Sequence, residues 1–176
     1  ILKPHEYVEN ISKIDFVALK QRGIKYIVFD KNNTLTLQDV FEFYNVDIKG
    51  AVNQAKELFG EENIGILSNT NKPHLLRYCQ EKLGLIDIKT KSMKPFNAQD
   101  IYSHFKITST QSSEVCIIGD GLLSDVLMGK YNGMYTIYTF PHDSKMDIWS
   151  AKPLRVIEDF ILSRKFNIKR EIKSVS

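Results

Sequence analysis

Asp30 stands directly after the apolar run Ile24-Lys25-Tyr26-Ile27-Val28-Phe29 and opens the stretch Asp30-Lys31-Asn32-Asn33-Thr34-Leu35-Thr36. A carboxylate in the turn after a buried strand sits where open α/β sheets place their chemistry. Such a carboxylate can take a phosphoryl group and pass it to water, which divides one difficult hydrolysis into two easier displacements. The pattern Asp-x-Asn-x-Thr differs by one substitution from Asp-x-Asp-x-Thr, which would put a second carboxylate two residues from the first, where it could act as acid and base. The plainer role for an aspartate in a turn is to cap it.

Three further groups repeat this placement. Gly119-Asp120-Gly121-Leu122-Leu123-Ser124-Asp125 puts two carboxylates on a loop after the apolar run Val115–Ile118. With Asp30 they make a hard oxygen set suited to Mg²⁺, and the two glycines leave the backbone free to bend. Capping of the next helix by Asp120 or Ser124 is the alternative. Ser68-Asn69 follows Ile64–Leu67; a hydroxyl and nearby amides can hold a phosphate oxygen, or they can cap a helix starting at Pro73. Lys94 precedes Pro95, which keeps it extended, and it can neutralise both phosphate and nucleophile; Lys89 and Lys91 are rivals for that role.

Positioning these residues takes an alternation of strands and helices. Strands are expected at Ile24–Phe29, Ile64–Leu67, Leu85–Ile88, Val115–Ile118 and Met134–Tyr138. Helices are expected at Ile48–Phe59, Pro73–Leu83, Phe96–Phe105, Leu122–Tyr131 and 154–165, the first from apolar residues at Ile48, Ala51, Val52, Ala55, Leu58 and Phe59. This order predicts an α/β fold, a three-layer doubly wound parallel sheet. The loops after the strands share one sheet edge, so Asp30, Ser68, Lys94 and Asp120 converge there although 38, 26 and 26 positions separate them.

In this order and placement the chain resembles the haloacid-dehalogenase-like phosphatase superfamily over residues 24–140. The resemblance implies a nucleophile at Asp30, an acid/base at position 32, and phosphate binding by Thr34, Ser68, Asn69 and Lys94. It implies Mg²⁺ held by Asp30, Asp120, Asp125 and the main-chain carbonyl of Asn32. Residues 14–36, with Gly119-Asp120-x-Leu122-Leu123-Ser124-Asp125-Val126 and Met128-Gly129, look like the mitochondrial and bacterial phosphatidylglycerophosphate phosphatase branch. That branch implies removal of the terminal phosphate of phosphatidylglycerophosphate on the path to phosphatidylglycerol and cardiolipin. It also implies a place on the matrix side of the mitochondrial inner membrane. Asn32 and Gly121 depart from the pattern: Asp is expected at the first, a longer side chain at the second.

Asn32 bears on turnover, because an amide can neither protonate a leaving oxygen nor activate water. Three explanations stand: a substitution introduced to trap substrate, a non-catalytic protein that binds phosphorylated ligands, or a proton from another group. The intervals between the polar groups are filled by one helix and one strand each, so no cap domain is expected. A bulky substrate must then cover the site: a lipid headgroup, a phosphoprotein, a nucleic-acid end or another phosphate monoester.

The 176 residues suit one domain, with an N-terminal segment 1–23 and a C-terminal helix and basic tail 150–176. The net charge of +3 is mild: it implies no nucleic acid and agrees with an anionic substrate or membrane surface. Seven Lys/Arg against three Asp/Glu in residues 151–176, beside Trp149, Leu154, Ile157, Phe160 and Ile161, suit peripheral contact with anionic lipid. A helix packed on the domain with a solvated basic edge is the alternative, and the tail from Asn167 reads as frayed. No apolar run reaches the ~20 residues of a membrane span. Cys79 and Cys116 lack metal spacing and read as core thiols of a reducing compartment. The chain begins at Ile1 without Met, as expected of a trimmed or mature form, so no targeting peptide is expected within it.

Overall fold

The computed structural model describes residues 2–37, 40–69, 73–143 and 152–165. Strands β1 (Glu6–Val8), β2 (Tyr26–Phe29), β3 (Ile64–Ile66), β4 (Ile86–Asp87), β5 (Val115–Gly119) and β6 (Tyr135–Thr139) form one six-stranded sheet. Its order is β1-β6-β5-β2-β3-β4, and every neighbouring pair is parallel. Helices α1 (Phe16–Gln21), α2 (Val46–Phe59), α3 (Pro73–Leu83), α4 (Ala98–Phe105), α5 (Leu127–Tyr131) and α6 (Lys152–Lys165) complete the fold.

Alternate side chains of a strand face opposite sides of the sheet, and here both sides are covered. Ile27 and Phe29 of β2 with Cys116 and Ile118 of β5 pack against Phe16 and Leu19 of α1 and Ile48 and Val52 of α2. Val28, Val115 and Ile117 point the other way, onto Ala98, Ile101 and Tyr102 of α4 and Met128 of α5. Strands buried on both faces must be apolar throughout, which is why β2 and β5 are unbroken apolar runs. Each large side chain so buried contributes about 1.5–3 kcal/mol. The α/β fold with helices on both faces of a parallel sheet is thus the expected one.

From β2 the chain moves outward through β3 to β4, then returns to place β5 on the other side of β2. The strand order therefore reverses between β2 and β5, the position at which doubly wound sheets open a crevice at their carboxyl edge. Asp30 follows β2 and Asp120 follows β5, so both carboxylates stand at that reversal.

Two elements have no counterpart in the reading of the sequence. Strand β1 is three residues long and half-buried at the sheet edge, too short to show a period. Helix α1 is six residues long; its cap, Asp15, accepts from Ala18 N at 2.9 Å. The expected helix Leu122–Tyr131 begins as a π-helical turn over Leu122–Val126 before α5. Trp149 and the tail from Asn167 lie outside the described residues, as do the side chains of Cys79 and Leu154. Cys116 is a free, buried thiol, and burial pushes its pKa well up. Among the described residues no helix is long and apolar enough to cross a membrane.

Candidate active site

Lys94 joins the site. Its ammonium pairs with Asp30 Oδ1 and, at 2.6 Å, with Asp125 Oδ1. The lysine side chain is 3% exposed, Asp125 is equally covered, and Asp30 retains 12%. Asp30 is thus the least covered member of the trio. The rivals Lys89 and Lys91 are exposed. The lysine reaches inward because its backbone is fixed: Lys94 N donates to Asn69 Oδ1 at 2.9 Å, tying the loop after β4 to the loop after β3. Asn69, expected on the substrate, here spends its side-chain oxygen on that tie. Ser68 is buried after β3, beside the strand that carries Asp30.

The loop after β2 is shaped by its own hydrogen bonds. Asn33 N donates to Thr36 O at 2.7 Å and Leu35 N to Lys31 O at 2.9 Å, closing a tight turn with Asn33 at φ 61°. Asparagine tolerates that left-handed conformation better than most residues. Thr34 is buried within the turn and its hydroxyl donates to Asp120 Oδ1 at 3.5 Å. The turn therefore connects the two strand-end aspartates.

After β5 the chain makes an equally close approach. Asp125 Oδ2 accepts from Gly121 N at 3.1 Å and from Ser124 Oγ at 3.2 Å. A Cβ at position 119 would come within 2.6 Å of Asp125 Oδ2, and one at 121 would collide with Ser124 Oγ. Both glycines leave room for this folding of Asp125 back onto its own loop; a Cβ at either would force the Ser124 or Asp125 side chain to move. That crowding suits Gly121, where a longer side chain was expected.

Burial, with Asp125 and Asp120 nearby, pushes the Asp30 carboxyl up to about 7 against the pull of Lys94. On Lys94, burial disfavours the charge, but Asp125 and Asp30 outweigh it and raise its pKa. Lys94 is therefore charged across the physiological range. Among the described residues no three His, Cys, Asp or Glu side chains are grouped closely enough to hold a metal ion. Lys94 lies between two of the expected ligands. Asp30, Asp120 and Asp125 come from adjacent strand ends and carry hard oxygen atoms, the donor type that a divalent cation such as Mg²⁺ takes.

Three neighbours of the site escaped the sequence. Lys31 is buried, with Nζ 2.8 Å from Asn32 Oδ1 and 4.5 Å from the centre of the Phe41 ring. The His142 ring approaches Thr34 O through Nε2 at 2.9 Å, and Tyr44 stacks on the imidazole with ring centres 4.0 Å apart. Burial lowers the His142 pKa, opposed by the bond to Thr34. His142 follows β6, so the strand-end placement that marked Asp30 and Asp120 was its available signal. The third neighbour, Glu158, carried none.

A family model described as mitochondrial PGP phosphatase matches residues 1–141. The chain belongs to that family. It is 28% identical over 169 residues to the chloroplastic/mitochondrial phosphatidylglycerophosphate phosphatase 1 of Arabidopsis thaliana, covering 92% of this chain and 47% of the plant protein. It is 28% identical over 171 residues to the chloroplastic phosphatidylglycerophosphate phosphatase 1 of Chlamydomonas reinhardtii, covering 92% of this chain and 61% of the algal one. The chain thus spans about half the length of these relatives. To the Bacillus subtilis protein named "Probable phosphatase YqeG" it is 32% identical over 165 residues, covering 91% of this chain and 89% of that one. No solved structure matches the chain.

Proposed function

We propose that this protein is built as a Mg²⁺-dependent phosphatase for the terminal phosphate of phosphatidylglycerophosphate, with an aspartyl-phosphate formed on Asp30. The observation that carries the chemistry is the Asp30–Lys94–Asp125 trio at the strand-order reversal, with Asp30 its least covered member. The names of the plant and algal relatives support the substrate.

In the first step an Asp30 oxygen attacks phosphorus, and the bond from phosphorus to the glycerol oxygen breaks. With no acid at position 32, the departing oxygen takes a proton from solvent water. In the second step water attacks the aspartyl-phosphate and gives its proton to solvent, the bond from phosphorus to the Asp30 oxygen breaks, inorganic phosphate leaves and Asp30 is regenerated. Lys94, Thr34 and Ser68 orient the phosphoryl oxygens. Asp30, Asp120 and Asp125 with the carbonyl of Asn32 would hold Mg²⁺, which when bound offsets the charge shared by carboxylate and phosphate. Among the described residues, those between Asp30 and Ser68 form one long helix, a short turn and one strand, in keeping with an uncapped site that a lipid headgroup covers. The relatives' names also support a mitochondrial or plastid setting, and on this reading the protein sits peripherally on an anionic membrane.

Position 32 limits turnover. The Asn32 amide oxygen already accepts from Lys31, and its NH₂ is no acid at neutral pH. Loss of a general acid/base costs about 10²–10⁴-fold in rate. Phosphate release by Asn32→Asp, assayed in Mg²⁺ on phosphatidylglycerophosphate vesicles and on an aryl phosphate, is expected to rise by that factor on the vesicles. Gain on the aryl phosphate alone removes the lipid assignment. No gain on either favours the second reading, a non-catalytic binder of phosphorylated ligands, which Asn32 itself motivates.

A further inference from the structure

Helix α6 lies beyond residues 1–141, yet it reaches the loop that carries Asp120 and Asp125. Glu158 is 2% exposed, and its Oε1 accepts from Leu123 N at 2.8 Å. Leu123 lies three residues after Asp120 and two before Asp125, in the first turn of the π-helical segment. One turn further along α6, Leu162 is fully buried against Leu122, Val126 and Tyr138.

A buried carboxylate is costly unless its oxygens are bonded. A backbone N–H in the first turn of a helix has no acceptor within its own helix. Glu158 and Leu123 N answer both needs at once. π-Helical turns are wider than α-helical ones, and they concentrate at functional sites. The turn here lets Asp125 fold back onto Gly121 N while its other oxygen faces Lys94. That backbone path is tight on the inside, where Gly119 and Gly121 leave no room. On the outside it is held by α6.

We propose that Glu158 is a positioning residue for the active site: its bond to Leu123 N fixes the loop so that Asp120 and Asp125 present their carboxylates together with Asp30. The inference rests on the metal reading above for its functional consequence, and on the loop geometry alone for its structural one. Leu162 anchors the same helix without touching that hydrogen bond, which separates positioning from mere attachment.

Two measurements test it on the full chain, with Glu158→Ala, Glu158→Gln and Leu162→Ala. Amide hydrogen exchange of residues 119–126 is expected to quicken at least ~10-fold in Glu158→Ala and to stay near the parent in Glu158→Gln, which keeps an acceptor; peptides from β2 and α4 should be unchanged. Exchange at 119–126 that is unaltered in Glu158→Ala, or quickened equally everywhere, overturns the proposal. In the second measurement Tm is followed as MgCl₂ is titrated. A group bonded directly to a metal ligand is worth about 10–100-fold in metal affinity; Glu158 acts through the Leu123 backbone between two expected ligands, so the half-saturating Mg²⁺ should rise by the lower end of that range, ~10-fold, in Glu158→Ala. It should move by less than ~3-fold in Glu158→Gln and in Leu162→Ala, although the last lowers Tm. An equal shift in all three variants overturns positioning. A parent that does not respond to Mg²⁺ counts against the metal reading alone, and hydrogen exchange then decides on Glu158.

Discussion

Asp125 has two oxygens and two tasks. One meets the Lys94 ammonium, and the other accepts from Gly121 N and Ser124 Oγ. A methyl group at position 121 enters the space of Ser124 Oγ and lies 2.8 Å from Asp125 Oδ2. Gly121→Ala is therefore expected to cost about 1–3 kcal/mol of stability, the range for overpacking a closed site. Adding Ser124→Ala should return part of that loss in urea denaturation, because the nearest obstacle is then gone. Equal stability of Gly121→Ala and parent would remove the crowding explanation for this glycine. Type and strand-end placement singled out Asp30, Ser68, Lys94, Asp120 and Asp125 without coordinates, and the structure brings Asp30, Lys94 and Asp125 into direct contact. What could not be read was which atom serves which neighbour. Nothing in the order of residues says that Asn69 is tied to Lys94 N, or that Lys31 lies against Asn32.

Among the elements, those with a run or a period were readable, whereas β1 and α1, which have neither, were not. Helix α2 shows its buried stripe, and Asn45 caps it by accepting from Ile48 N at 2.9 Å. The strand expected at Leu85–Ile88 forms as β4, two residues long and paired with β3. Asp87 ends that strand half-buried, and burial pushes its carboxyl from 3.8 up to about 6, with Lys89 opposing. A carboxyl raised in the folded state holds its proton more tightly there than in the unfolded chain. Its contribution thus favours the fold fully below about pH 4 and is lost as pH rises through about 6. Asp87→Asn, which cannot ionise, should match the parent near pH 4 and exceed it at pH 7 by on the order of 1 kcal/mol, allowing for partial exposure. Thermal melts at several pH values check the sign, and a variant advantage that is largest in acid would refute it.

For the whole molecule, the sheet's order is the property that composition conceals. The alternation of strands and helices implied a parallel sheet, but not that β1 closes its far edge beside β6. Three half-buried residues make that strand, and their evidence lies in partners about 130 positions away: Glu6 opposite Ile137, Tyr7 opposite Tyr138, and Tyr135 Oη donating to Glu6 at 2.7 Å. His5 adds a ring stacked on Tyr135 with centres 4.4 Å apart. Removing residues 2–9 uncovers the backbone edge of β6, and an open strand edge invites pairing between molecules. Light scattering after size-exclusion chromatography should then show soluble aggregates where the full chain gives a discrete species. A truncated chain that remains discrete and melts like the parent would show that β1 is dispensable.

The pairing of β1 with β6 also orders events in time. A chain made from its N-terminus presents Glu6–Val8 early, but their partners are Ile137–Thr139. Until those residues have been synthesised the first strand has no place in the sheet, while β2, β3 and β4 can already lie side by side. Closing so long a loop is slow relative to local pairing. The six-stranded sheet is thus completed by β1 and β6 together, and an interrupted translation product that stops before residue 135 leaves β1 unpaired.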